Sequence, residues 1–149
     1  MVLVSPEIPP NTGSVARLCA ATGVRLHLVR PLGFSLDDRY LKRAGLDYWP
    51  FVDVHVHDDW AAFVRAERPE RLHCFSARAH DTYLDVAYAR GDYLVFGGET
   101  SGLPATILDT YRAHTYVIPI RSPHVRSLNL SNAVSIVVYE ALRQFGATN

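Results

Sequence analysis

Polar side chains crowd a short segment near the end of the chain, directly ahead of a strongly apolar run. Ser127, Asn129, Ser131 and Asn132 all fall within six residues. Such groups are costly to bury unless they hydrogen-bond to each other, to a ligand or to the start of a helix. Ser131 or Asn132 is expected to cap the helix that follows. Ser127 and Asn129 then remain as candidates for binding or chemistry.

A second candidate segment begins where an apolar, strand-like run at 92–96 leads into Gly97 and Gly98. Paired glycines at the end of a strand allow a sharp turn or the close approach of a ligand. Glu99 follows them, and two roles stay open for it. Its carboxylate either orients a reacting group or substrate, or it stabilises the loop by accepting bonds from backbone amides.

A third candidate segment, residues 5–18, follows the first strand-like run and contains Asn11 and Arg17. Asn11 is either the cap of the helix that begins here or a member of the site. Arg17 lies two turns into that helix, away from its apolar face. Because arginine stays protonated in proteins, it is suited to binding an anion and not to acting as a general base. The alternative is an ion pair with an acid such as Glu7 or Glu99.

These three segments, in this order, resemble the motifs of the SPOUT (α/β-knot) RNA methyltransferases, and the resemblance covers essentially the whole chain. Residues 36–48 also match the small tRNA 2′-O-methyltransferases that act on the wobble nucleotide. The resemblance implies S-adenosyl-L-methionine as cofactor and tRNA, through its anticodon stem-loop, as partner, with methylation of the ribose of a wobble cytidine or uridine. Alternatives are another tRNA position, rRNA, or a non-catalytic RNA-binding protein, which would be expected to have lost Arg17 and Asn129.

The resemblance also implies roles for individual residues. The cofactor is expected in a C-terminal deep trefoil knot, in contact with Phe75, Gly97, Ile118, Ser127 and Leu128. The residues expected to serve catalysis are Arg17, Ser127, Asn129, Glu99 and Asn11. Within this set, we expect Arg17 to hold an RNA phosphate or to stabilise the developing alkoxide electrostatically.

Contacts with RNA must come from local clusters of cations, because 15 Lys and Arg balance 15 Asp and Glu. One cluster lies on a short predicted helix (Arg39, Lys42 and Arg43), and Arg121 and Arg126 flank the cofactor loop. A solvated surface is the alternative reading of each cluster. Tyr139, on the last helix, is expected to reach either the substrate or a subunit interface.

The amino-acid composition predicts the domain organisation, the state of the cysteines and whether a metal site is expected. A chain of 149 residues with 48% hydrophobic and 20% charged residues predicts a single domain spanning 1–149. Cys19 and Cys74 lie in apolar surroundings without metal-type spacing, which predicts reduced core residues in a cytoplasmic protein. The seven histidines form no His-Glu-x-x-His motif, so no metal site is predicted.

Strand-like and helical patterns alternate along the chain. The predicted strands are 2–4, 25–29, 51–55, 72–75, 93–96 and 116–119, and the predicted helices are 12–22, 37–44, 59–66, 104–111 and one beginning near 131. This alternation predicts an α/β fold with a mostly parallel sheet flanked by helices. Classical nucleotide motifs such as Gly-x-Gly-x-x-Gly are missing from the sequence.

The last predicted helix is apolar around most of its circumference. The residues responsible are Val134, Ile136, Val137, Val138, Ala141, Leu142 and Phe145. Such a helix must be covered on both sides. One side is expected to face the sheet and the other a second subunit, which predicts a homodimer. The alternative is coverage by other helices of the same chain.

Overall fold

A computed structural model describes residues 1–37, 39–45 and 48–146. Its core is a sheet of seven strands in the order β3-β2-β1-β6-β4-β7-β5, and every strand pair is parallel. The strands are β1 (Val2–Val4), β2 (Leu26–Val29), β3 (Val54–His57), β4 (Leu72–Phe75), β5 (Asp81–Thr82), β6 (Tyr93–Phe96) and β7 (Thr115–Val117). The predicted α/β class with a mostly parallel sheet is confirmed.

Among the described residues, five α-helices and three short 3-10 turns accompany the strands. The helices are α1 (Pro9–Thr22), α2 (Arg39–Gly45), α3 (Trp60–Glu67), α4 (Ala105–Thr110) and α5 (Leu130–Gln144). Side chains alternate between the two faces of each strand, so two apolar cores form. Helices α1 and α5 cover the core around Leu3 and Leu28. Helices α3 and α4 cover the opposite core through Phe63 and Ile107.

The predicted caps of both helices near the polar segments were wrong. Helix α1 begins at Pro9, with Ile8 at the N-cap position, so neither Asn11 nor Thr12 is its cap. Prolines suit the first positions of a helix, where the backbone N–H would have no partner. Helix α5 is capped by Asn129, whose carbonyl oxygen accepts from the backbone N–H groups of Ser131 and Asn132.

The third strand lies further along the chain than predicted. Trp49–Phe51 forms a 3-10 turn with proline in its first positions, and strand β3 runs from Val54 to His57. Proline cannot donate to a strand ladder, which favours the turn. Trp49 is partly buried against the main core. The predicted end of the short helix at Gly45 agrees with α2.

One side of helix α5 is covered by the chain itself. Val134, Val137 and Val138 are fully buried. Ile136 and Leu142 are only half-buried, and Tyr139 is 51% exposed. The intrachain core therefore explains part of the apolar character of this helix and leaves the rest available. Across the described residues, no helix has the length and hydropathy needed to cross a membrane.

Candidate functional site

A cleft of about 760 Å³ opens at the carboxyl ends of β4 and β6. Its walls come from residues 75–78, 96–103 and 126–130, with Ile8 and Asn11 of the first segment. In open parallel sheets, ligands bind beyond the carboxyl ends of the strands. The three polar segments identified in the sequence therefore meet at one place, although almost 120 residues separate the first from the last.

Glu99 ties the loop after β6 to the start of helix α1. One carboxylate oxygen accepts from the backbone N–H of Glu7 at 2.7 Å, and the other accepts from the backbone N–H of Ile8 at 3.0 Å. The second oxygen also accepts from Nδ2 of Asn11 at 3.2 Å. Carboxylates near the N-terminus of a helix are stabilised by its free N–H groups. The loop-stabilising role considered for Glu99 is therefore present in the structure.

Glu7 makes the reciprocal contact with the loop after β6. The sequence had not indicated a part for Glu7 in the site. Its carboxylate accepts from the backbone N–H of Thr100 at 3.0 Å and from the hydroxyl of Ser101 at 3.4 Å. These hydrogen bonds, with Thr100 the largest contributor, hold the pKa of Glu7 below its usual value. A single glutamate after a proline gives no sequence signal for such a partner 93 residues away.

Asn11 and Asn129 extend this network to the third segment. Nδ2 of Asn129 donates to Oδ1 of Asn11 at 2.9 Å, while Oδ1 of Asn129 accepts from the hydroxyl of Ser131 at 2.6 Å. The expectation that Asn129 was free of a capping role was wrong, because its own oxygen caps α5. We call the four linked residues Glu7, Asn11, Glu99 and Asn129 the clasp.

Gly97 forms the tightest part of the cleft wall. A Cβ atom at this position would lie 2.1 Å from the carbonyl carbon of Gly102 and 2.2 Å from the nitrogen of Leu103. At Gly98 a Cβ would lie 2.6 Å from the carbonyl oxygen of Ser5. Two backbone segments can approach this closely only where a side chain is missing. The paired glycines thus permit the narrow loop that the sequence suggested.

Four of the five expected cofactor residues line the cleft: Phe75, Gly97, Ser127 and Leu128. Ile118 lines an adjoining recess of about 100 Å³, whose walls also include Phe75, Ser127 and Leu128. The ring of Phe75 stacks on Phe96 with centroids 4.8 Å apart, which fixes the apolar floor. Within the described residues, no hydrogen bond occupies the Ser127 hydroxyl. The recess and the cleft together offer apolar walls with polar groups at the rim, as ligand sites commonly do.

Arg17 lies on helix α1, six residues and so about 9 Å along the axis from Asn11. Its side chain is exposed, and its guanidinium carbon sits 4.8 Å from the centre of the Tyr48 ring. In the described part of the chain it forms no ion pair with Glu7 or Glu99, whose oxygens accept other hydrogen bonds. Glu7 and Glu99 are therefore not ion-pair partners of Arg17, and no acid among the described residues pairs with its guanidinium.

The cations expected to contact RNA occupy two places. On helix α2, the guanidinium carbon of Arg39 lies 4.8 Å from the Tyr40 ring centre, and Lys42 lies 3.6 Å from Asp37. Arg43 is an exposed neighbour on the same helix. Arg126 lines the cleft and Arg121 is exposed in the segment that leads to it. Helix α2 packs on α1, so the first group lies on the side of the molecule that carries Arg17.

Comparison with known proteins agrees with this geometry. The model of the SpoU rRNA Methylase family matches residues 1–139. A tRNA (cytidine(34)-2'-O)-methyltransferase of Escherichia coli (strain K12) is 53% identical over 146 residues, covering 98% of this chain and 93% of that protein. The enzyme of the same name from Burkholderia ambifaria is 54% identical over 149 residues, covering 98% and 95%. A solved structure concerned with the 2-OH methylation of C/U34 on tRNA is 52% identical with a TM-score of 0.92, covering 97% of this chain and 94% of that chain.

Proposed function

The chain belongs to the SpoU rRNA Methylase family, and on that basis we propose that it methylates the ribose 2′-hydroxyl of the wobble nucleotide, cytidine or uridine 34, of tRNA. The methyl donor is S-adenosyl-L-methionine. The observation that carries the proposal is the near-full-length identity of 53–54% to tRNA (cytidine(34)-2'-O)-methyltransferases. The cleft at the carboxyl edge of the sheet supplies a site of suitable size and character.

The cofactor fits the cleft and its recess. The volume of about 760 Å³ lies within the range of small-molecule sites, and the bare backbone at Gly97 lets a ligand approach the main chain. Phe75, Ile118 and Leu128 supply apolar contacts for an adenine ring, and the Ser127 hydroxyl supplies a polar one. When bound, the cofactor presents an electrophilic methyl group on a sulfonium, so no metal or enzyme nucleophile is required for the transfer itself.

The clasp positions the reacting groups. Glu99 and Asn11 fix the start of helix α1 against the loop after β6, and Asn129 fixes the start of α5 against the same point. These residues hold the part of the site that receives the ribose 2′-oxygen at a fixed position relative to the part that binds the cofactor. Alignment of this kind accounts for a large share of the rate in a two-substrate reaction.

Arg17 supplies positive charge for the RNA. Its guanidinium binds a phosphate next to the target ribose or stabilises the negative charge that develops on the 2′-oxygen during methyl transfer. The stack on Tyr48 holds the guanidinium while leaving its N–H groups unpaired by acids of the described chain.

Further RNA contacts come from the exposed cations: Arg39, Lys42, Arg43, Arg121 and Arg126. Their placement beside α1 and along the cleft rim gives a neutral protein two local basic surfaces. Phosphate contacts of this type set position on the nucleic acid, while single-stranded loop bases are held by stacking. The anticodon loop of tRNA offers both features.

The proposal includes a homodimer, a knotted C-terminal region and a single cytoplasmic domain. The half-buried Ile136 and the exposed Tyr139 lie on the side of α5 that the intrachain core leaves uncovered, and a second subunit covers that side. Tyr139 then contacts either the partner or the RNA. Sedimentation should give twice the monomer mass, and a stable monomer at micromolar concentration would contradict this interface.

The decisive experiment is methyl transfer from labelled S-adenosyl-L-methionine onto tRNA that lacks the wobble modification, with rRNA as a competing substrate. The expected product carries label on the ribose at position 34. Label on a base, or on rRNA in preference to tRNA, would contradict the proposed reaction or substrate. A chain that binds tRNA without transferring the methyl group would be a non-catalytic member of the family.

A further inference from the structure

A buried cluster of three potential metal ligands lies outside the cleft, on the face of the sheet covered by α3. His27 of β2 and His57 of β3 point to the same side as Glu67, the last residue of α3. Their side chains are 2%, 9% and 14% exposed. Sequence spacing could not reveal this set, because its members come from three elements and match no short motif.

The distances among the three ligand atoms are those of a metal site. Nδ1 of His27 lies 3.1 Å from Nε2 of His57, and Oε1 of Glu67 lies 3.7 Å and 3.9 Å from these nitrogens. Three ligands of a tetrahedral Zn²⁺ at bond lengths of about 2.0–2.1 Å are separated by roughly 3.3–3.4 Å. Movements of about half an ångström per side chain therefore close the cluster around one ion.

In the described part of the chain, no lysine or arginine lies within ion-pair distance of the mostly buried Glu67 carboxylate, and its ionisable neighbours at that distance are His27 and His57. Metal binding requires both imidazoles in their neutral form, with a nitrogen lone pair free for the ion.

A supporting shell is also present. The Tyr93 hydroxyl donates to Oε2 of Glu67 at 3.1 Å and so orients the carboxylate with Oε1 towards the histidines. Partners of this kind fix the orientation of metal ligands and raise their affinity. A cleft of about 420 Å³ includes His27 and Tyr93 in its lining, so one edge of the cluster borders this cleft.

We propose that His27, His57 and Glu67 bind one Zn²⁺ ion, with water as the fourth ligand, and that the ion fastens the end of α3 to strands β2 and β3. Two imidazoles and one carboxylate are a ligand set that Zn²⁺ accepts. The hydrogen bond between the two rings is replaced on binding: the shared proton moves to the outer nitrogen of its ring, and both inner nitrogens coordinate. The role is structural, because the cluster lies on the face of the sheet opposite α5 and the recess.

Calorimetric titration of the chelator-treated protein with Zn²⁺ tests the proposal. One ion per chain is expected, and Tm should rise by roughly 5–10 °C at a hundredfold excess of Zn²⁺ over its Kd. Co²⁺ in the same site should show the intense visible absorption of a tetrahedral ion. An unchanged Tm together with no saturable binding would overturn the proposal.

Substitutions distinguish Zn²⁺ binding at this cluster from Zn²⁺ binding at surface residues. Glu67→Gln keeps an oxygen for the Tyr93 hydroxyl but removes the anionic ligand, and should weaken Zn²⁺ binding by at least about 100-fold, more than the loss of an outer-shell partner. Glu70→Gln, at an exposed position nearby, should leave binding unchanged. His55 contacts Asp53 on the surface. If His55→Gln abolished the binding and Glu67→Gln did not, the ion would belong to that surface pair and the proposal would be wrong.

Discussion

The clasp and the basic side of the molecule, which is the surface that carries Arg17 and Arg39, use their polar groups in opposite ways. In the clasp, Glu7, Asn11, Glu99 and Asn129 use their polar atoms on backbone groups and on one another. On the basic side, Arg17 and Arg39 lie against tyrosine rings, and Arg39 also donates a hydrogen bond to the Tyr40 hydroxyl. Both regions are polar and both border the candidate site.

The difference separates architecture from recognition. A side chain whose hydrogen-bonding capacity is already used inside the protein has little left for a partner, so its loss should affect stability and positioning. A charged group held only by stacking keeps its capacity for a ligand, so its loss should affect turnover with little change in stability. Four substitutions test this contrast, and they are described in order of decreasing expected effect.

Arg17→Ala should lower the rate of methyl transfer by about 10²–10³-fold, because it removes a preorganised positive charge from the reacting region. Unfolding energy and affinity for S-adenosyl-L-methionine should change little. Single-turnover kinetics and calorimetry measure the two quantities. Arg90→Ala is the matched control, since Arg90 also stacks on an aromatic ring, that of Phe145, but lies outside the cleft. Equal losses of rate and cofactor affinity would place Arg17 in the cofactor pocket instead.

Gly97→Ala should lower the free energy of unfolding by about 3 kcal/mol and abolish cofactor binding, because its Cβ would overlap the backbone at Gly102. Urea denaturation and cofactor titration provide the measurements. Gly23→Ala is the control: its φ is 68° but nothing lies within 4 Å of the added carbon, so only the left-handed conformation costs energy, about 1 kcal/mol. Unchanged cofactor affinity in the Gly97 variant would mean that the ligand binds elsewhere.

Glu99→Gln should lower the free energy of unfolding by about 2 kcal/mol, since hydrogen bonds to a charged group are lost and an amide N–H₂ is turned towards a backbone donor. The rate of methyl transfer should fall as well, because α1 is no longer held against the loop. Asp109→Asn, at an exposed ion pair, should leave both values unchanged. A variant of full stability with no activity would instead give Glu99 a direct role in the reaction.

Glu140 is a reference carboxylate outside the clasp. Glu140→Gln should lower the free energy of unfolding by about 1 kcal/mol, because Arg143 is largely exposed. Hydrogen bonds from Arg143, and then from Gln144, lower the pKa of Glu140 to about 2. A lowered pKa stabilises the fold above the ordinary value of 4.5 and loses that contribution as the pH falls towards 2. The difference between wild type and variant should therefore be full at pH 6, decline below pH 4.5 and be mostly lost at pH 2. A difference that persisted at pH 2 would show that packing, and not charge, is responsible.

The sheet was predictable because its strands are short apolar runs separated by recognisable helix patterns. Runs such as Leu72–Phe75 and Tyr93–Phe96 appear in the structure with the predicted bounds. The spatial order of the strands was not predictable from periodicity, because β1 pairs with β6 more than 90 residues away. The cap of α5 was predicted at Ser131 or Asn132 and lies at Asn129, since a side-chain cap depends on local geometry that the residue type alone does not fix.

For the site, the sequence identified the segments better than the roles within them. Glycine pairs and polar turns are visible as residue types, so Gly97, Glu99 and Asn129 were found. Their roles as expected catalytic or cofactor residues stay predictions, because a hydrogen-bond partner far along the chain decides what each atom is free to do. The contact of Glu7 with the loop after β6 and the His27 cluster were missed for the same reason: the partners come from other elements.

The clasp has a consequence for protein synthesis. Its hydrogen bonds join residues 92 and 118 positions apart, so the ribosome must release nearly all of the polypeptide before the first and last pieces meet. Nascent or prematurely terminated products contain the early helix and several strands yet hold no competent pocket. Chains that stop before residue 126 lack one wall of the cleft and should not bind the methyl donor.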